Sequence, residues 1–275
     1  MSATVSAPVS TYDGLRVVVT GAATGVGAAL VQQLRAAGAA SVTAVDRKPV
    51  ADVDRFLEAD LSDRSAVDQL VAELGGQVDV LFNNAGVAAN LPLEVVMGVN
   101  VFAPRLLTHG LAPTMGPGGA VVGTASIAGL QYAAHQGEIT ELLAIDDWSE
   151  ALAFLGGHPE LTADPYSFSK ECAQVFTMLA APAVARHGVR INSACPGIIE
   201  TPLIADFADT MGLPIMEWMV SNGSGRRASP DEIASVLLFL GSPGSAYMNG
   251  SNVVCDGGFT AALNTGQADF STLPS

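Results

Sequence analysis

Short runs of apolar residues alternate along the chain with longer segments in which apolar positions recur every three or four residues. Uninterrupted apolar runs are typical of strands buried on both faces of a parallel sheet, and the periodic segments are typical of helices. The alternation predicts an α/β fold, a single doubly wound parallel sheet with helices on both faces. The predicted strands cover residues 15–20, 41–45, 56–61, 78–82, 119–125, 189–195 and 253–258.

Composition restricts the classes of protein to which the chain can belong. The 275 residues are 49% apolar and 14% charged, a length and composition that fit one large domain. We expect a flexible tail over residues 1–12 and a single domain over residues 13–275. The net charge of −15 disfavours nucleic acid and anionic membranes as partners.

Targeting signals and cysteine spacing point to the same kind of protein. No apolar run is long enough to span a membrane, and the first dozen residues lack the basic start of a signal peptide. The three cysteines are far apart in the sequence, so they predict neither a disulfide framework nor a metal site. We therefore expect a cytoplasmic protein without a bound metal.

The first predicted strand leads directly into a glycine-rich turn, which opens a helix over residues 28–35. Glycines in this context let the backbone approach a pyrophosphate, whose charge meets the N-terminus of the helix. The spacing, Gly-x-x-x-Gly-x-Gly, differs from the commoner Gly-x-Gly-x-x-Gly, and a simple packing turn is the alternative. The context favours a nucleotide site of Rossmann type. The candidate contacts are Gly21, Thr24, Gly25, Val26 and Gly27.

Carboxylates follow the second and third predicted strands. Asp46 lies about 20 residues past the glycines, where a carboxylate can accept hydrogen bonds from both ribose hydroxyls and repel a 2′-phosphate. We therefore expect NAD as the cofactor, although Arg47 could receive that phosphate, and a surface pair of Asp46 with Arg47 is the alternative. Asp60 and Leu61 are candidates for the adenine end of the site, unless Asp60 caps the helix that begins near residue 65.

A tyrosine and a lysine, Tyr166 and Lys170, stand four residues apart, which places them on one face of a predicted helix. An ammonium group one turn away favours the phenolate and lowers the tyrosine pKa from its usual value of about 10. The pair therefore suits a general acid/base, although the spacing also occurs by chance on solvated helix faces.

Two further polar residues lie at informative positions. Ser126 follows the fifth strand, where its hydroxyl could bind a substrate oxygen or simply stand in a turn. Asn100 lies inside a predicted helix over residues 93–111, where amide side chains are poor helix formers. A buried asparagine bonded to the backbone is one interpretation of that position.

Together these motifs resemble the common type of the short-chain dehydrogenase/reductase family, and they appear in family order across nearly the whole chain. The resemblance implies catalysis by Tyr166, with Lys170 stabilising the phenolate and binding the nicotinamide ribose. It also implies that Ser126 orients the substrate oxygen and that Asn100 links Lys170 to solvent through water. The further cofactor contacts that it implies are Asn84, Ala85, Gly86, Pro196, Gly197, Ile199 and Thr201, besides Tyr166 and Lys170.

Ser126 and Tyr166 lie 40 positions apart, whereas common family members connect them by a much shorter loop. The extra segment, about residues 131–162, predicts two short amphipathic helices, the second of them capped by Asp147. This layout resembles the bacterial 3α-hydroxysteroid dehydrogenase/carbonyl reductase group and coniferyl-alcohol dehydrogenases. The resemblance implies a small hydrophobic alcohol or carbonyl substrate. An NADPH-dependent carbonyl reductase and a non-catalytic NAD-sensing protein on the same fold are the alternatives.

Assembly follows from where the insertion buries its apolar residues. Family members commonly pair through the helices that carry Asn100 and Tyr166, and the insertion would crowd that surface. We therefore expect a homodimer built on residues 231–240 and 253–254, with the insertion as one wall of the substrate cleft; a homotetramer is the alternative. The apolar and Met-rich residues 202–222 predict either a lid or ordinary core packing.

Overall fold

The computed structural model describes residues 11–274, and in this range seven strands form one parallel sheet in the order β3-β2-β1-β4-β5-β6-β7. The direction of the strand order reverses between β1 and β4, and ligands bind outside the carboxyl ends of the strands at such a point. The strands are β1 Arg16–Thr20, β2 Ser41–Asp46, β3 Arg55–Glu58, β4 Val80–Asn83, β5 Ala120–Thr124, β6 Arg190–Pro196 and β7 Asn252–Cys255.

Helices cover both faces of the sheet, which buries the apolar runs from water on each side. One core lies beneath α1 and α10, and the other beneath α2, α4 and α7. The helices are α1 Gly25–Ala36, α2 Arg64–Leu74, α3 Leu93–Met97, α4 Ala103–Leu111, α5 Gln136–Ala144, α6 Trp148–Gly156, α7 Pro165–Ala185, α8 Ile204–Met211, α9 Leu213–Ser221, α10 Pro230–Gly241 and α11 Phe259–Asn264.

The predicted fold class is confirmed, and each predicted strand agrees with an observed one to within three residues at either end. The helix predicted over residues 93–111 contains a π-helical turn, Gly98–Phe102, between α3 and α4. Pro104 has no N–H, so it cannot donate the regular helical bond to the Asn100 carbonyl. The irregular turn therefore falls at the residue that the family resemblance singles out.

The N-terminal boundary differs from the predicted one. Most of the tail predicted over residues 1–12 lies outside the described residues, but its last residue, Tyr12, is fully buried. The Tyr12 hydroxyl donates to the Leu238 carbonyl oxygen at 2.6 Å, and its ring contacts Phe82 with 6.4 Å between centroids. The tail prediction is therefore wrong for Tyr12, because this aromatic side chain fills space between the sheet and α10.

The insertion forms two helices, as the sequence predicts, and they are α5 and α6. Their apolar side chains pack on the face formed by α3, the π-helical turn and α7, and Ile139 and Leu142 are completely buried there. Arg105 of α4 is also buried and donates to the Leu143 carbonyl oxygen at 2.6 Å. The Asp147 side chain accepts hydrogen bonds from two backbone N–H groups of α6, so the predicted cap is present.

One stretch of helix, Leu93–Thr114, is long and apolar enough to cross a membrane when only length and composition are considered. Within this protein, 72% of its apolar window is buried against other elements. A buried core helix of this length passes the same test, so the stretch is weak support for a membrane span.

Candidate active site

A cleft of about 1060 Å³ opens at the carboxyl ends of the strands, at the point where the strand order reverses. All the predicted site residues border it except two, Gly27 and Asn100, which lie behind its wall. The lining residues that were predicted from the sequence are Gly21, Thr24, Gly25, Val26, Asp46, Asp60, Leu61, Asn84, Ala85, Gly86, Ser126, Tyr166, Lys170, Pro196, Gly197, Ile199 and Thr201.

The glycine loop is shaped by close backbone approaches. Gly21 and Gly25 have φ of +66° and +56°, values that favour glycine. A Cβ at Gly21 would lie 2.7 Å from the Ala85 Cα, and one at Gly27 would lie 2.0 Å from the Gly21 carbonyl oxygen. Gly27 therefore serves the packing of the loop on α1, where the sequence predicted a cofactor contact.

The N-terminus of α1 borders the cleft through Gly25 and Val26. Thr24 makes no side-chain cap, and the first turn of the helix carries no acidic residue. Unpaired N–H groups and the positive end of the helix dipole together favour an anion. This end of the cleft therefore fits a pyrophosphate.

The Asp46 carboxylate is held at one end of the cleft, the end that the sequence predicts to take the adenosine. It accepts hydrogen bonds from the backbone N–H groups of Ala23 and Lys48, each at 2.9 Å. A carboxylate has about four lone-pair positions, so these two bonds leave capacity for ribose hydroxyls. The contact with Ala23 also ties the end of β2 to the glycine loop, which fixes where the carboxylate lies.

Asp60 lies just past β3 and does not cap α2, because Asp63 makes that cap by accepting the Ser65 N–H at 2.8 Å. Burial acts to raise the pKa of Asp60, but hydrogen bonds from Ser62 and the nearby charge of Arg47 outweigh burial and lower it. Asp60 is therefore a carboxylate at the rim of the cleft.

Asn84 connects the glycine loop to the middle of the sheet. Its amide donates to the carbonyl oxygens of Thr20 and Gly21, each at 3.2 Å, and its amide oxygen accepts from the Thr124 hydroxyl at 3.2 Å. This side chain therefore holds β1, β4 and β5 together directly beneath the cleft.

Tyr166 and Lys170 lie on one face of α7, which Asp164 caps at its N-terminus. The Lys170 Nζ donates to the Thr124 carbonyl oxygen at 2.9 Å and lies 5.6 Å from the centroid of the Tyr166 ring. Ser126 follows β5 in extended conformation, and its side chain borders the cleft together with Tyr166. The structure thus brings the three predicted side chains together on the floor of the cleft.

Burial raises the pKa of Tyr166 to about 12; the hydrogen bond with Ser126 counteracts this rise, and the Asp164 carboxylate adds to it. Burial lowers the pKa of Lys170 to about 8. The prediction of a lowered tyrosine pKa is therefore wrong for this structure. The spacing places the Lys170 ammonium near the Tyr166 ring, where it favours the phenolate. Burial disfavours the charged phenolate by more than the ammonium favours it, so the pKa rises.

Asn100 is buried in the π-helical turn, and its side chain bonds to protein groups on every side. Its amide oxygen accepts the Val87 N–H at 2.9 Å, while its Nδ2 donates to the Val87 carbonyl and to the Ser169 hydroxyl. The backbone of Gly86 lies between it and Lys170, because a Cβ there would be 3.6 Å from the Asn100 Oδ1 and 3.5 Å from the Lys170 Nζ. The interpretation as a buried asparagine bonded to the backbone is confirmed, and the water link stays a prediction.

The outer part of the cleft is apolar and is bordered by the paired helices α8 and α9. Phe207 of α8 lies edge-on to the Tyr166 ring, with 4.8 Å between centroids, and the Asn90 amide donates to Asp206 at 2.9 Å across the mouth. Part of the segment serves the core, since Trp218 packs on Phe259. The apolar lining includes Leu91, Val95, Leu130, Leu203, Phe207, Met211, Met216, Met219, Phe259 and Leu263.

The insertion does not form a wall of this cleft, so that prediction is wrong. Of residues 131–162 only Gln131 borders the cleft. Trp148 instead contacts Phe102, with 5.4 Å between ring centroids, and lies under the guanidinium of Arg64. The apolar side chains of the insertion pack against α3, the π-helical turn and α7 instead of lining the cleft.

Sequence reasoning missed several groups at this site. The Thr124 carbonyl that binds Lys170 belongs to the backbone, so no residue type announces it. The position of Ser169 directly before Lys170 is visible in the sequence. In the structure its hydroxyl accepts a hydrogen bond from the Asn100 amide. His135 of the insertion does not border the cleft, and its Nδ1 lies 2.7 Å from the Glu171 carboxylate. Within residues 11–274, no cluster of three or more potential metal ligands is found.

Two family models match the chain in succession, the short chain dehydrogenase model over residues 16–138 and the enoyl-(acyl carrier protein) reductase model over residues 152–260. A coniferyl-alcohol dehydrogenase from Pseudomonas sp. (strain HR199 / DSM 7063) is 32% identical over 248 residues, which covers 90% of this chain and 96% of that relative. The chain belongs to the short-chain dehydrogenase family. The resemblance inferred from its motifs is therefore confirmed.

Other relatives extend the same comparison. The 3-alpha-hydroxysteroid dehydrogenase/carbonyl reductase of Comamonas testosteroni is 31% identical over 261 residues, covering 91% of this chain and 98% of that protein. A crystal structure of the 3-alpha-hydroxysteroid dehydrogenase from Pseudomonas sp. B-0831 complexed with NADH has a TM-score of 0.77 at 31% identity. The match covers 92% of this chain and 99% of the chain in that crystal structure.

Short-chain dehydrogenases are oxidoreductases that use a nicotinamide cofactor and act on small alcohol or carbonyl compounds. The cleft of this chain fits such a cofactor on its own features. Cβ atoms at Gly21 and Gly27 would collide with neighbouring backbone, so the loop can be this close-packed only with glycine. Beside it, the N-terminus of α1 has no side-chain cap. The chain is therefore an oxidoreductase with alcohol dehydrogenases among its relatives.

Proposed function

We propose that the protein is an NAD-dependent dehydrogenase that interconverts a hydrophobic secondary, allylic or benzylic alcohol and its carbonyl compound. One observation carries this proposal: Tyr166, Lys170 and Ser126 converge on the floor of a cleft whose outer part is apolar. An acid/base beside a hydroxyl donor suits a reacting oxygen, and the apolar lining suits the body of the substrate.

In alcohol oxidation, the Tyr166 phenolate takes the proton of the substrate hydroxyl, and in reduction the phenol returns it. The Ser126 hydroxyl donates a hydrogen bond that orients the substrate oxygen. Lys170 supplies a positive charge beside the phenolate, while the Thr124 carbonyl holds its ammonium in place. A bound nicotinamide would supply the hydride chemistry, as the acceptor in oxidation and the donor in reduction.

The remaining predicted residues would hold the cofactor. The glycine loop from Gly21 to Val26 and the α1 N-terminus would bind the pyrophosphate, with Asp46 at the adenosine ribose and Asp60 with Leu61 near the adenine. The loops after β4 and β6 would hold the nicotinamide end. Those loops contribute Asn84, Ala85, Gly86, Pro196, Gly197, Ile199 and Thr201.

The preference for NAD rests on Asp46, whose negative charge would repel a 2′-phosphate. One observation favours a second candidate function, an NADPH-dependent carbonyl reductase: Arg47 and Lys48 border the same end of the cleft. We favour NAD because the Asp46 carboxylate is fixed by two backbone N–H groups. The crystal structure of the steroid dehydrogenase relative, which contains NADH, supports the same choice.

The substrate class rests on the lining of the outer cleft and on the relatives. The names of two relatives specify a coniferyl alcohol and a 3-alpha-hydroxysteroid, and both compounds carry their hydroxyl on a ring-containing body. The Met and Phe side chains of α8 and α9 offer an adaptable apolar surface to such a body.

The test is a screen of the purified protein with NAD and with NADP, monitored by the absorbance of the reduced cofactor. Cinnamyl-type alcohols and 3α-hydroxysteroids are compared with a small polar diol as the control. We expect turnover of at least one bulky alcohol with NAD and little turnover of the diol. Tight NAD binding without turnover of any substrate would favour a non-catalytic NAD-binding protein, and a preference for NADP would favour the reductase.

We also propose that the protein forms a homodimer through α10 and β7. The helices α5 and α6 pack on α3, the π-helical turn and α7, on the side of the molecule through which family members commonly pair. Phe239 of α10 and Val254 of the edge strand β7 remain 40% exposed. Light scattering should therefore give the mass of a dimer, and Phe239→Glu should shift it toward the monomer. A tetramer that Phe239→Glu leaves intact would contradict this assembly.

A further inference from the structure

A buried amide on the catalytic helix has no role in the reaction as described so far. Gln174 follows Lys170 by one turn on α7, at the same spacing of four that separates Lys170 from Tyr166. Its side chain is completely buried, where an amide without hydrogen bonds is costly. Its Nε2 donates to the carbonyl oxygen of Ser126 at 2.8 Å.

The bond from Gln174 reaches Ser126 where the regular structure of β5 has ended. The last ladder bond beyond β5 is made by the Ala125 N–H, which donates to the Ala194 carbonyl at 2.8 Å. Beyond it, the Ser126 carbonyl accepts a local bond from the Gly129 N–H at 3.1 Å and the bond from Gln174. Gln174 is therefore the side chain that ties the backbone of Ser126 to the helix of Tyr166.

The other polar groups of Gln174 support a role centred on this one bond. Its side-chain oxygen is buried and has no hydrogen-bond partner among the described residues. Its backbone carbonyl accepts from the Asn252 amide at 3.2 Å, which anchors this turn of α7 to β7. The side-chain oxygen of Gln174 is thus unsatisfied, and the side chain hydrogen-bonds through its Nε2. An apolar side chain of the same size would therefore lose the bond to Ser126.

We infer that Gln174 is a positioning residue that sets the Ser126 hydroxyl against Tyr166 by fixing the backbone of Ser126 to α7. This inference rests on the proposed function, in which the Ser126 hydroxyl orients the substrate oxygen. It assigns Gln174 no contact with substrate or cofactor, since Gln174 does not border the cleft. A buried amide that serves stability alone is the competing explanation, and the two differ in measurable ways.

The first test replaces Gln174 with methionine, which has similar length and no donor. We expect Gln174→Met to lower kcat at least about tenfold with little change in KM, because a misplaced hydroxyl weakens stabilisation of the reacting oxygen. The matched control is Thr177→Val, which removes another side-chain hydrogen bond of α7, the one from the buried Thr177 to the Ala173 carbonyl at 2.9 Å. That control should stay within about threefold of the wild type in kcat.

A double-variant cycle separates positioning from stability. If Gln174 acts through the Ser126 hydroxyl, Gln174→Met should change kcat less than about threefold once Ser126→Ala is present. An equal loss in both backgrounds would overturn the inference, as would a kcat of Gln174→Met within about twofold of the wild type. Should Gln174→Met fail to fold, Gln174→Glu keeps the shape and can donate only while protonated. Its kcat relative to wild type should then fall with rising pH, and a flat ratio would overturn the inference.

A crystal structure of Gln174→Met supplies a readout that is independent of activity. We expect the backbone of Ser126 to move away from α7 by at least about 0.5 Å, the tolerance within which catalytic groups must be held. An unmoved Ser126 would overturn the inference whether or not the protein turns over an alcohol. Conversely, wild-type protein that oxidises no alcohol while Ser126 moves in the variant would count against the proposed function alone.

Discussion

Gly129 is the residue on which the approach of the Ser126 loop to the catalytic helix depends. A Cβ at Gly129 would lie 2.4 Å from both the carbonyl carbon and the carbonyl oxygen of Lys170, and 2.7 Å from the Glu171 nitrogen. Ordinary contacts begin near 3.4 Å, so Gly129→Ala must separate the two backbones by about 1.0 Å, that is 3.4 Å minus 2.4 Å. The obstructing atoms are backbone atoms of a packed helix, so the loop and not the helix should move.

That displacement predicts a large loss of activity and a moderate loss of stability. A shift of about 1 Å at a catalytic group can cost about a hundredfold in rate, so we expect kcat to fall by roughly that factor. Overpacking of a core costs about 1–3 kcal/mol, and each kcal/mol lowers Tm by about 2–4 °C in a domain of 150–250 residues. The measurements are kcat, KM and Tm of the purified variant.

The matched control is Gly137→Ala in the first turn of α5, where a new Cβ meets nothing within 4 Å. This change should leave kcat unaltered and raise stability by up to about 1 kcal/mol, because alanine is the better helix former. A Gly129→Ala variant with the kcat of the wild type would refute the reasoning, because the added atom could then be accommodated without moving Ser126.

Three further predictions concern the site itself. Tyr166→Phe should lower kcat at least about a hundredfold while NAD affinity, measured by fluorescence titration, stays within a few-fold; activity near that of the wild type would exclude Tyr166 as the acid/base. Asp46→Ala should narrow the preference for NAD over NADP in kcat/KM, and a wild-type preference for NADP would contradict the role of Asp46. Asp164→Asn should move the pH profile of alcohol oxidation toward lower pH.

The sheet could be predicted from the sequence because most strands are short, largely apolar runs that are followed by glycine or a polar residue. Strands that are buried on both faces require apolar residues, so this pattern identifies them. The positions of the candidate site residues just after the strands could therefore be predicted as well. Tyr12 could not be placed in the same way. A single aromatic residue next to a Ser/Ala/Thr-rich stretch carries no periodicity, and only the space between α10 and Phe82 explains its burial.

The packing partner of the insertion could not be predicted from the sequence. Its amphipathic helices were predicted, but an apolar face fits a cleft mouth as well as a neighbouring helix, and the sequence pattern is the same for both. The deciding contacts are tertiary: Arg105 donates to the backbone of the insertion, and the Trp148 ring packs at a tilt against Phe102. A buried arginine in the middle of a helix was the available clue, because such a charge needs partners from another segment.

The ionisation of Tyr166 depends on its burial and on Asp164, neither of which the spacing of Tyr166 and Lys170 can show. Burial is the largest cause of its raised pKa of about 12, and the Asp164 carboxylate adds to it because two negative charges repel. Asparagine at position 164 keeps an oxygen for the α7 cap but removes the charge, so the pKa of Tyr166 must fall. Oxidation needs the phenolate, whose fraction rises tenfold per pH unit below the pKa, so a lower pKa raises the rate at a given pH below it. An unchanged profile, or one shifted to higher pH, would show that the ionisation of Tyr166 does not limit oxidation.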